Sequence, residues 1–435
     1  MPAALNRADG TPAAPLGIEE FGALLEPFAL QGKIALAVSG GPDSMALAFC
    51  AQRWAAQRES ECIALIVDHG LRAESAEEAE SVKARLEALG LRSEILRWEH
   101  QGIARRLHEQ ARDARYRLLF DACRRHGARD LLLAHHREDQ AETILMRLAK
   151  GSGPDGLAGM AAQTARENIR LLRPFLSVPK ARLVATCRAE NLDFVIDPSN
   201  ASEKFARGRL RKILPLLETE GLTVETLLDL GARATETASA LDHYARDFLR
   251  AAANVEAGGT LRLDRASFCT VPHAIAMRAL ASSLTFIHDG RHPPERAGLA
   301  SLLGAVCATP AETVRTFYGC LISVATGSAH IMREPAAATE ALPFHTNKPL
   351  LWDRRWIVYG HGPDKNAAYT LRALGNPPHD LLDRLAPGLR RHIPQGRARA
   401  SLPALWQDDL LCAIPSFDEH ASLRMARAKQ AFPLA

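Results

Sequence analysis

Six residues, Ser39-Gly40-Gly41-Pro42-Asp43-Ser44, constrain this chain more than any others because of what flanks them. The apolar run Lys33-Ile34-Ala35-Leu36-Ala37-Val38 precedes them and Met45-Ala46-Leu47-Ala48-Phe49 follows. The pattern is a buried strand, a tight turn and an apolar helix. Glycine has no Cβ, so its backbone can approach an anion closely. The N–H groups of such a turn and of the helix start then cradle phosphate. Asp43 is the unusual member, since a carboxylate beside phosphates makes sense chiefly with a divalent cation between them. A Walker A loop needs a Lys next to Ser or Thr at the helix start, and this turn has none.

A chain of 435 residues suits two or three domains. With 47% hydrophobic and 24% charged residues it reads as soluble and globular. No apolar run reaches the roughly 18 residues of a membrane span, and Met1 to Leu16 read as a ragged tail rather than a signal peptide. The 8 cysteines stand singly, without a Cys-x-x-Cys pair. Neither a zinc site nor a disulfide framework is indicated, and a cytoplasmic location is expected. The net charge of +4 is too small to establish a nucleic-acid partner. Its distribution says more: Arg105, Arg106, Arg112, Arg115, Arg117, Arg124, Arg125 and Arg129 face only Glu109, Asp113 and Asp121. Such a helix could face a phosphate backbone or present a solvated surface.

Strand-like runs at Ile34–Val38, Ile63–Val67, Ser93–Trp98, Leu131–Ala134 and Leu171–Phe175 alternate with helical stretches. The helices are Ser44–Arg58, Ser75–Leu89, Ile103–Arg125 and Glu138–Ala149. The strands lack two-fold alternation, as when both faces are buried. The expected fold is α/β, a doubly wound, mostly parallel, Rossmann-like sheet followed by a helical domain and a small C-terminal α+β domain. The divisions expected are a tail at 1–16, a catalytic domain at 17–215, a helical domain at 216–335 and a C-terminal domain at 340–435, with Pro335–Thr339 as linker. Strands are expected to stop after Asn200 until that last domain.

Ligands of such sheets bind beyond the C-terminal strand ends, and three polar motifs stand there. Ser39–Ser44 is one. In Val67-Asp68-His69-Gly70-Leu71-Arg72, backbone groups could read a base or ribose, although Asp68 alone could equally be a cap or turn residue. In His135-His136-Arg137-Glu138-Asp139-Gln140-Ala141-Glu142, Asp139 and Glu142 share one helical face. They could bind a metal, grip an ammonium group, or simply complement the helix dipole. Adjacent His135 and His136 lack the spacing of a zinc helix.

Ser39–Ser44 resembles the pyrophosphate-releasing loop of N-type ATP pyrophosphatases, which cleave ATP between its α- and β-phosphates. The ordered set narrows this. Ser39–Ser44, Val67–Arg72, Ala111–Tyr116, His135–Thr143, Gly151–Met160, Arg173-Pro174-Phe175 and Asp197-Pro198-Ser199-Asn200 occur in the order seen in tRNA(Ile)-lysidine synthetases. The match is firm over roughly 30–217, weaker through Phe317–Cys320 and Arg333-Glu334, and only in outline beyond. Two departures stand out. The family usually has Asp-Asp-Gln where this chain has Glu138-Asp139-Gln140, and Arg-Asn-x-x-Arg where it has Arg207-Gly208-Arg209-Leu210-Arg211.

The resemblance implies that ATP adenylates the C2 oxygen of the wobble cytidine in an isoleucine tRNA with a CAU anticodon. The ε-amine of free L-lysine then displaces AMP. It implies that Ser39, Gly40, Gly41, Pro42, Asp43, Ser44, Asp68 and His69 bind ATP. Asp43 would hold Mg²⁺, and Asp43, Arg115 and Asp139 would be catalytic, with Arg112 a second candidate beside Arg115. Asp139, Glu142 and Arg207 would bind lysine, while Arg390, Arg391, Arg397 and Arg399 would help read the tRNA. No membrane is implied, and a homodimer is allowed. A thiolating tRNA enzyme and an inactive RNA-binding relative are the alternatives; the missing cysteine pairs count against the first and the intact carboxylates against the second.

Overall fold

In the computed structural model the chain divides into two compact units, Met1–Ala238 and Ser239–Ala435. The described residues are 13–428 except 31, 71–73, 101–106, 196–205, 291–292, 309–312, 347, 365, 395 and 418–422. Residues 1–12 of the expected tail, Arg72, Arg105, Arg106 and the Asp197–Asn200 motif therefore lie outside the described residues. Among those described, no helix is long and apolar enough to cross a membrane.

The first unit runs α1 (Ile18–Leu25), β1 (Ile34–Val38), α2 (Pro42–Ala56), β2 (Cys62–Asp68), α3 (Ser75–Ala88), β3 (Ser93–Arg97) and α4 (Leu107–His126). It continues with β4 (Asp130–Leu132), α5 (Arg137–Ala149), α6 (Pro154–Leu157), β5 (Gln163–Arg166), β6 (Ile169–Leu172), α7 (Lys180–Ala189) and α8 (Ala206–Thr219). The unit boundary falls within α9 (Val224–Ala252).

β1 is buried along its whole length because both of its faces carry helices. Ile34, Leu36 and Val38 share a core with Leu47 of α2, Val82 of α3 and Leu183 of α7. Ala35 and Ala37 belong to a second core with Leu119 and Phe120 of α4. This double coverage erases the two-fold alternation, as the sequence led us to expect. The described strands form a six-stranded sheet in the order β3-β2-β1-β4-β6-β5. β1 pairs parallel with β2 and with β4, so the winding reverses between β1 and β4. That switch point is where an open α/β sheet leaves its crevice. β5 is antiparallel to β6 and was not expected. It is polar and largely exposed, so no apolar run announced it.

In the second unit, β7 (Ala253–Val255), β8 (Leu261–Asp264), β9 (Thr313–Phe317), β10 (Cys320–Val324) and β11 (Ser328–Arg333) form an antiparallel sheet ordered β7-β8-β11-β10-β9. Its inward residues, such as Leu263, Ile322 and Ile331, pack with Phe268 of α10 (Arg265–Thr270), Leu280 of α11 (His273–His288) and Leu302 of α12 (Arg296–Ala308). The stretch 216–335 thus combines helices with a five-stranded sheet whose first two strands precede α10–α12, and the expectation that strands pause there is corrected. The alternation of Ser328–Arg333 is short, and the alanine- and leucine-rich helices that precede the last three strands of the sheet masked it.

The remainder holds β12 (Leu342–Phe344), β13 (Leu350–Trp352), β14 (Trp356–Gly360), β15 (Tyr369–Ala373), β16 (Pro403–Gln407), β17 (Leu410–Ala413) and β18 (Leu423–Arg427). They pair as β12-β15-β16-β17 and β13-β14-β18, with three short helices between β15 and β16. The helices are α13 (His379–Leu385), α14 (Leu389–His392) and α15 (Arg397–Ala400). Arg399 is buried, unlike the exposed Arg391 and Arg397, so the four arginines grouped by sequence do not share one surface role.

One buried ion network fastens this unit. Asp353 accepts from Arg333 Nε (3.0 Å), Arg333 Nη2 (2.8 Å) and Arg355 Nε (2.6 Å), and all three side chains are at most 5% exposed. The Asp353 contact ties β11 to the β13–β14 turn, and Arg333 also donates to the carbonyls of Gly319 in the β9–β10 turn and of Ala337 just after β11. Asp353→Asn keeps the left-handed turn conformation (φ 47°) that Asn tolerates. It removes the charge between two buried guanidinium groups, so urea unfolding should show a loss of about 3–5 kcal/mol. A loss under about 1 kcal/mol would mean that the network contributes no more than an ordinary hydrogen bond.

Candidate active site

The turn after β1 is closed by its own serines. Ser44 Oγ accepts from the Ser39 N–H (3.1 Å), donates to Gly41 O (3.0 Å) and lies 3.3 Å from Ser39 Oγ. The Met45 N–H donates to Gly41 O at 3.0 Å, which starts α2. Gly40 stands at φ 81°, and a Cβ there would lie 2.4 Å from Val82 Cγ2. Its carbonyl accepts from the Val195 N–H at 2.8 Å. Pro42 occupies the first helical position, where no N–H is needed. The Cys187 thiol of α7 donates to Pro42 O at 3.2 Å.

The β1–β4 switch point brings Asp43 to the start of α5. His136, 3% exposed, sits between three carboxylates. Its Nε2 lies 3.6 Å from Asp43 Oδ2 and 3.4 Å from Asp139 Oδ2, and its Nδ1 lies 3.0 Å from Glu138 Oε2. Burial pulls the imidazole pKa down, but the Glu138 hydrogen bond and the charges of Asp139 and Asp43 outweigh it, and the net direction is upward. The His136 N–H also donates to Asp139 Oδ2 at 3.2 Å.

Two more cations reach the cluster. Lys180 Nζ lies 3.6 Å from Asp43 Oδ2. Arg211 holds Glu142 through its Nε on Oε1 and its Nη2 on Oε2 (3.1 Å), and it lies 3.8 Å from Asp139 Oδ1. Burial raises the Asp43 pKa, with Asp139 adding to it, against the pull of His136 and Lys180. Asp43 Oδ1 is buried without a hydrogen-bond partner. An acceptor oxygen left so beside a phosphate-type turn fits a hard cation that takes one carboxylate and substrate phosphates.

At the end of β2 the Asp68 carboxylate accepts from the Gly70 N–H at 2.9 Å, so its own role there is to shape the turn. His69 stacks edge-on against Trp98 at 6.4 Å. Its pKa is lowered by burial and then by the Arg115 charge, which favours a neutral ring near pH 7. Arg115, partly buried on α4, is thereby placed beside His69, while Arg112 lies over the Tyr116 ring at 5.3 Å. Arg124 and Arg125, which the sequence offered to a phosphate backbone, are paired with Asp121, Glu167 and Glu94.

The Gly151–Met160 segment is stitched to α5. Gln140 donates to Met160 O (3.0 Å) and accepts its N–H (2.7 Å), and Arg147 donates to the carbonyls of Gly156 and Gly159. Gly159 at φ 73° has no room for a Cβ beside Gln140.

The structure thus gathers Asp43, Asp139 and Glu142, and sets His69 with Arg115. The side chain of Arg207 lies outside the described residues, and the arginine found on Asp139 and Glu142 is Arg211. Sequence reasoning missed Lys180 because α7 was not recognised. Pro179 before Lys180 was the available signal. It also weighed His136 only as a metal ligand.

A phosphate turn at the switch point of a doubly wound sheet, with a carboxylate on its rim, defines a PP-loop protein, and the PP-loop domain model matches residues 18–217. The tRNA(Ile)-lysidine synthase of Methylobacterium nodulans is 43% identical over 332 residues, covering 74% of this chain and 97% of that protein. That of Methylobacterium sp. (strain 4-46) is 45% identical over 312 residues, 70% of this chain and 90% of its own. That of Ruegeria pomeroyi is 34% identical over 391 residues, 88% of each. The chain belongs to the tRNA(Ile)-lysidine synthase family.

Gly40→Ala puts a Cβ into Val82 and forces a left-handed alanine, which alone costs about 1–2 kcal/mol. Thermal unfolding should fall by several degrees and ATP binding should be lost together. An unchanged melting curve would contradict the packing described for the turn.

Proposed function

We infer that this enzyme is an ATP-dependent carbon–nitrogen ligase that joins free L-lysine to C2 of the wobble cytidine of tRNA(Ile) with a CAU anticodon. The product is lysidine, with AMP and pyrophosphate released. The observation that carries the reading is the meeting of Asp43, on the phosphate turn, with Asp139 through His136, and of Asp139 with Glu142 through Arg211. Charge that develops on ATP and a substrate amine are thereby handled within one cluster.

In the first step the cytosine C2 oxygen attacks the α-phosphorus, and the bond to the β-phosphate breaks. The 39–44 turn presents backbone N–H groups and the Ser39 and Ser44 hydroxyls to the leaving pyrophosphate. Asp43 would hold Mg²⁺, which when bound neutralises charge developing on the phosphates. The turn at Asp68–Gly70 is suited to the nucleoside end of ATP. Arg115 is positioned beside it to meet phosphate.

In the second step the lysine ε-amine attacks C2 and AMP leaves. The amine is an ammonium near neutral pH and must shed a proton first. Asp139 is the carboxylate for that amine and its proton. Glu142 acts with Arg211, which already holds both of its oxygens, and Arg207 stands on the same helix for the lysine carboxylate or the cytidine. The anticodon loop is single-stranded, so extruding its base is inexpensive. Residues 17–215 supply this chemistry, while 216–335 and 340–435 supply tRNA contacts. A cytoplasmic location fits the chemistry.

Sulfur transfer, the nearest alternative, needs a reactive thiolate. Burial pushes the Cys50, Cys62, Cys123 and Cys187 thiols up to about 12, which keeps them protonated.

Incubation with ATP, labelled lysine and total tRNA should label only an isoleucine tRNA with a CAU anticodon. No label in any tRNA would overturn the reading. Asp43→Ala should lower pyrophosphate release roughly 10²–10³-fold, and unchanged release would remove Asp43 from the metal role.

A further inference from the structure

Lys180 stands at the rim of the phosphate turn and has no part in the steps above. It opens α7 with its side chain 44% exposed and its Nζ 3.6 Å from Asp43 Oδ2. Two anchors fix that position. The Lys180 backbone N–H donates to Glu138 Oε2 at 2.9 Å, and the same oxygen lies 3.0 Å from His136 Nδ1. His136 Nε2 approaches the Asp43 oxygen that Lys180 also approaches, so Asp43, His136, Glu138 and Lys180 close a ring of polar contacts. One turn further along α7, Leu183 sits in the core shared with α2, and Cys187 bonds Pro42 O. The helix that carries Lys180 is therefore fastened to the turn itself.

We propose that Lys180 is the side chain that grips the departing pyrophosphate, and that Glu138 is the positioning residue that sets it there. This rests on the reading of the turn as the place where ATP loses pyrophosphate. Backbone amides and serine hydroxyls are neutral donors, whereas the leaving group carries several negative charges. A charged donor makes a shorter and stronger hydrogen bond to phosphate oxygen. An ammonium on a flexible stem can follow the leaving group and then release it, as a rigid guanidinium fork does less readily. In the free protein the Lys180 charge rests on Asp43, and a phosphate oxygen gives it a partner of the same kind.

Glu138 carries the positioning part. One of its carboxylate oxygens spans both the imidazole and the Lys180 N–H. A carboxylate on the first N–H of α7 also complements the helix dipole and sets where the helix begins. Shortening that side chain should displace Lys180 without removing any charge.

The test is binding of inorganic pyrophosphate with Mg²⁺ to the full chain, followed by calorimetry. Lys180→Gln should weaken binding about tenfold to a hundredfold, and Lys180→Arg should recover most of it. Glu138→Asp should weaken it by a smaller factor. The lysine KM should stay unchanged in Lys180→Gln, which a general loss of structure would not allow. The half-exposed side chain makes an unchanged melting temperature the expected control for that variant. Equal pyrophosphate binding by wild type and Lys180→Gln would overturn the assignment alone. A wild-type protein that neither binds pyrophosphate nor releases it from ATP would overturn the reading of the turn, and this assignment with it.

Discussion

A buried imidazole between carboxylates is the contact on which the site depends. His136 is almost wholly enclosed, and its two nitrogens face Asp43, Asp139 and Glu138. Three anionic groups so close would repel one another and would favour protonation. The imidazole between them offsets that repulsion: it lowers the Glu138 pKa and opposes the burial that raises that of Asp43, and its own pKa moves upward in return. The sheet sets this up. β1 and β4 are neighbours at the point where the winding reverses, so the turn after one and the helix after the other must meet.

Outward from that centre the charges alternate. Lys180 approaches Asp43, and Arg211 engages Glu142 and Asp139. Each cation comes from a helix far along the chain, α7 or α8, so the site closes only when the whole first unit is folded. A cluster built this way handles two kinds of ligand charge. The turn side suits phosphate, and the α5 side suits an amine. Membership of the tRNA(Ile)-lysidine synthase family names a reaction that needs both.

Much of the first unit was legible because its strands are buried on both faces and its turn is unusual. The expected strand Ile34–Val38 coincides with β1, and the helix expected at 75–89 ends one residue from α3. Asp139 and Glu142 could be paired from helical spacing alone. Lys180 and Arg211 could not, because their contacts bridge sequence separations that periodicity does not encode. β5 was invisible because a polar edge strand carries no apolar signal. The sheet β7–β11 was hidden for another reason. Its strands are short and follow strongly helical windows, α9 before β7 and α12 before β9.

The central claim is that ATP is split between its α- and β-phosphates here to activate a wobble cytidine. Pyrophosphate release measured without lysine tests it most directly. With tRNA(Ile) carrying a CAU anticodon, the account expects about one pyrophosphate per tRNA, with AMP following only when lysine is added. With an isoleucine tRNA carrying guanosine at the wobble position it expects none. Release that ignores the anticodon, or ADP in place of pyrophosphate, would contradict it.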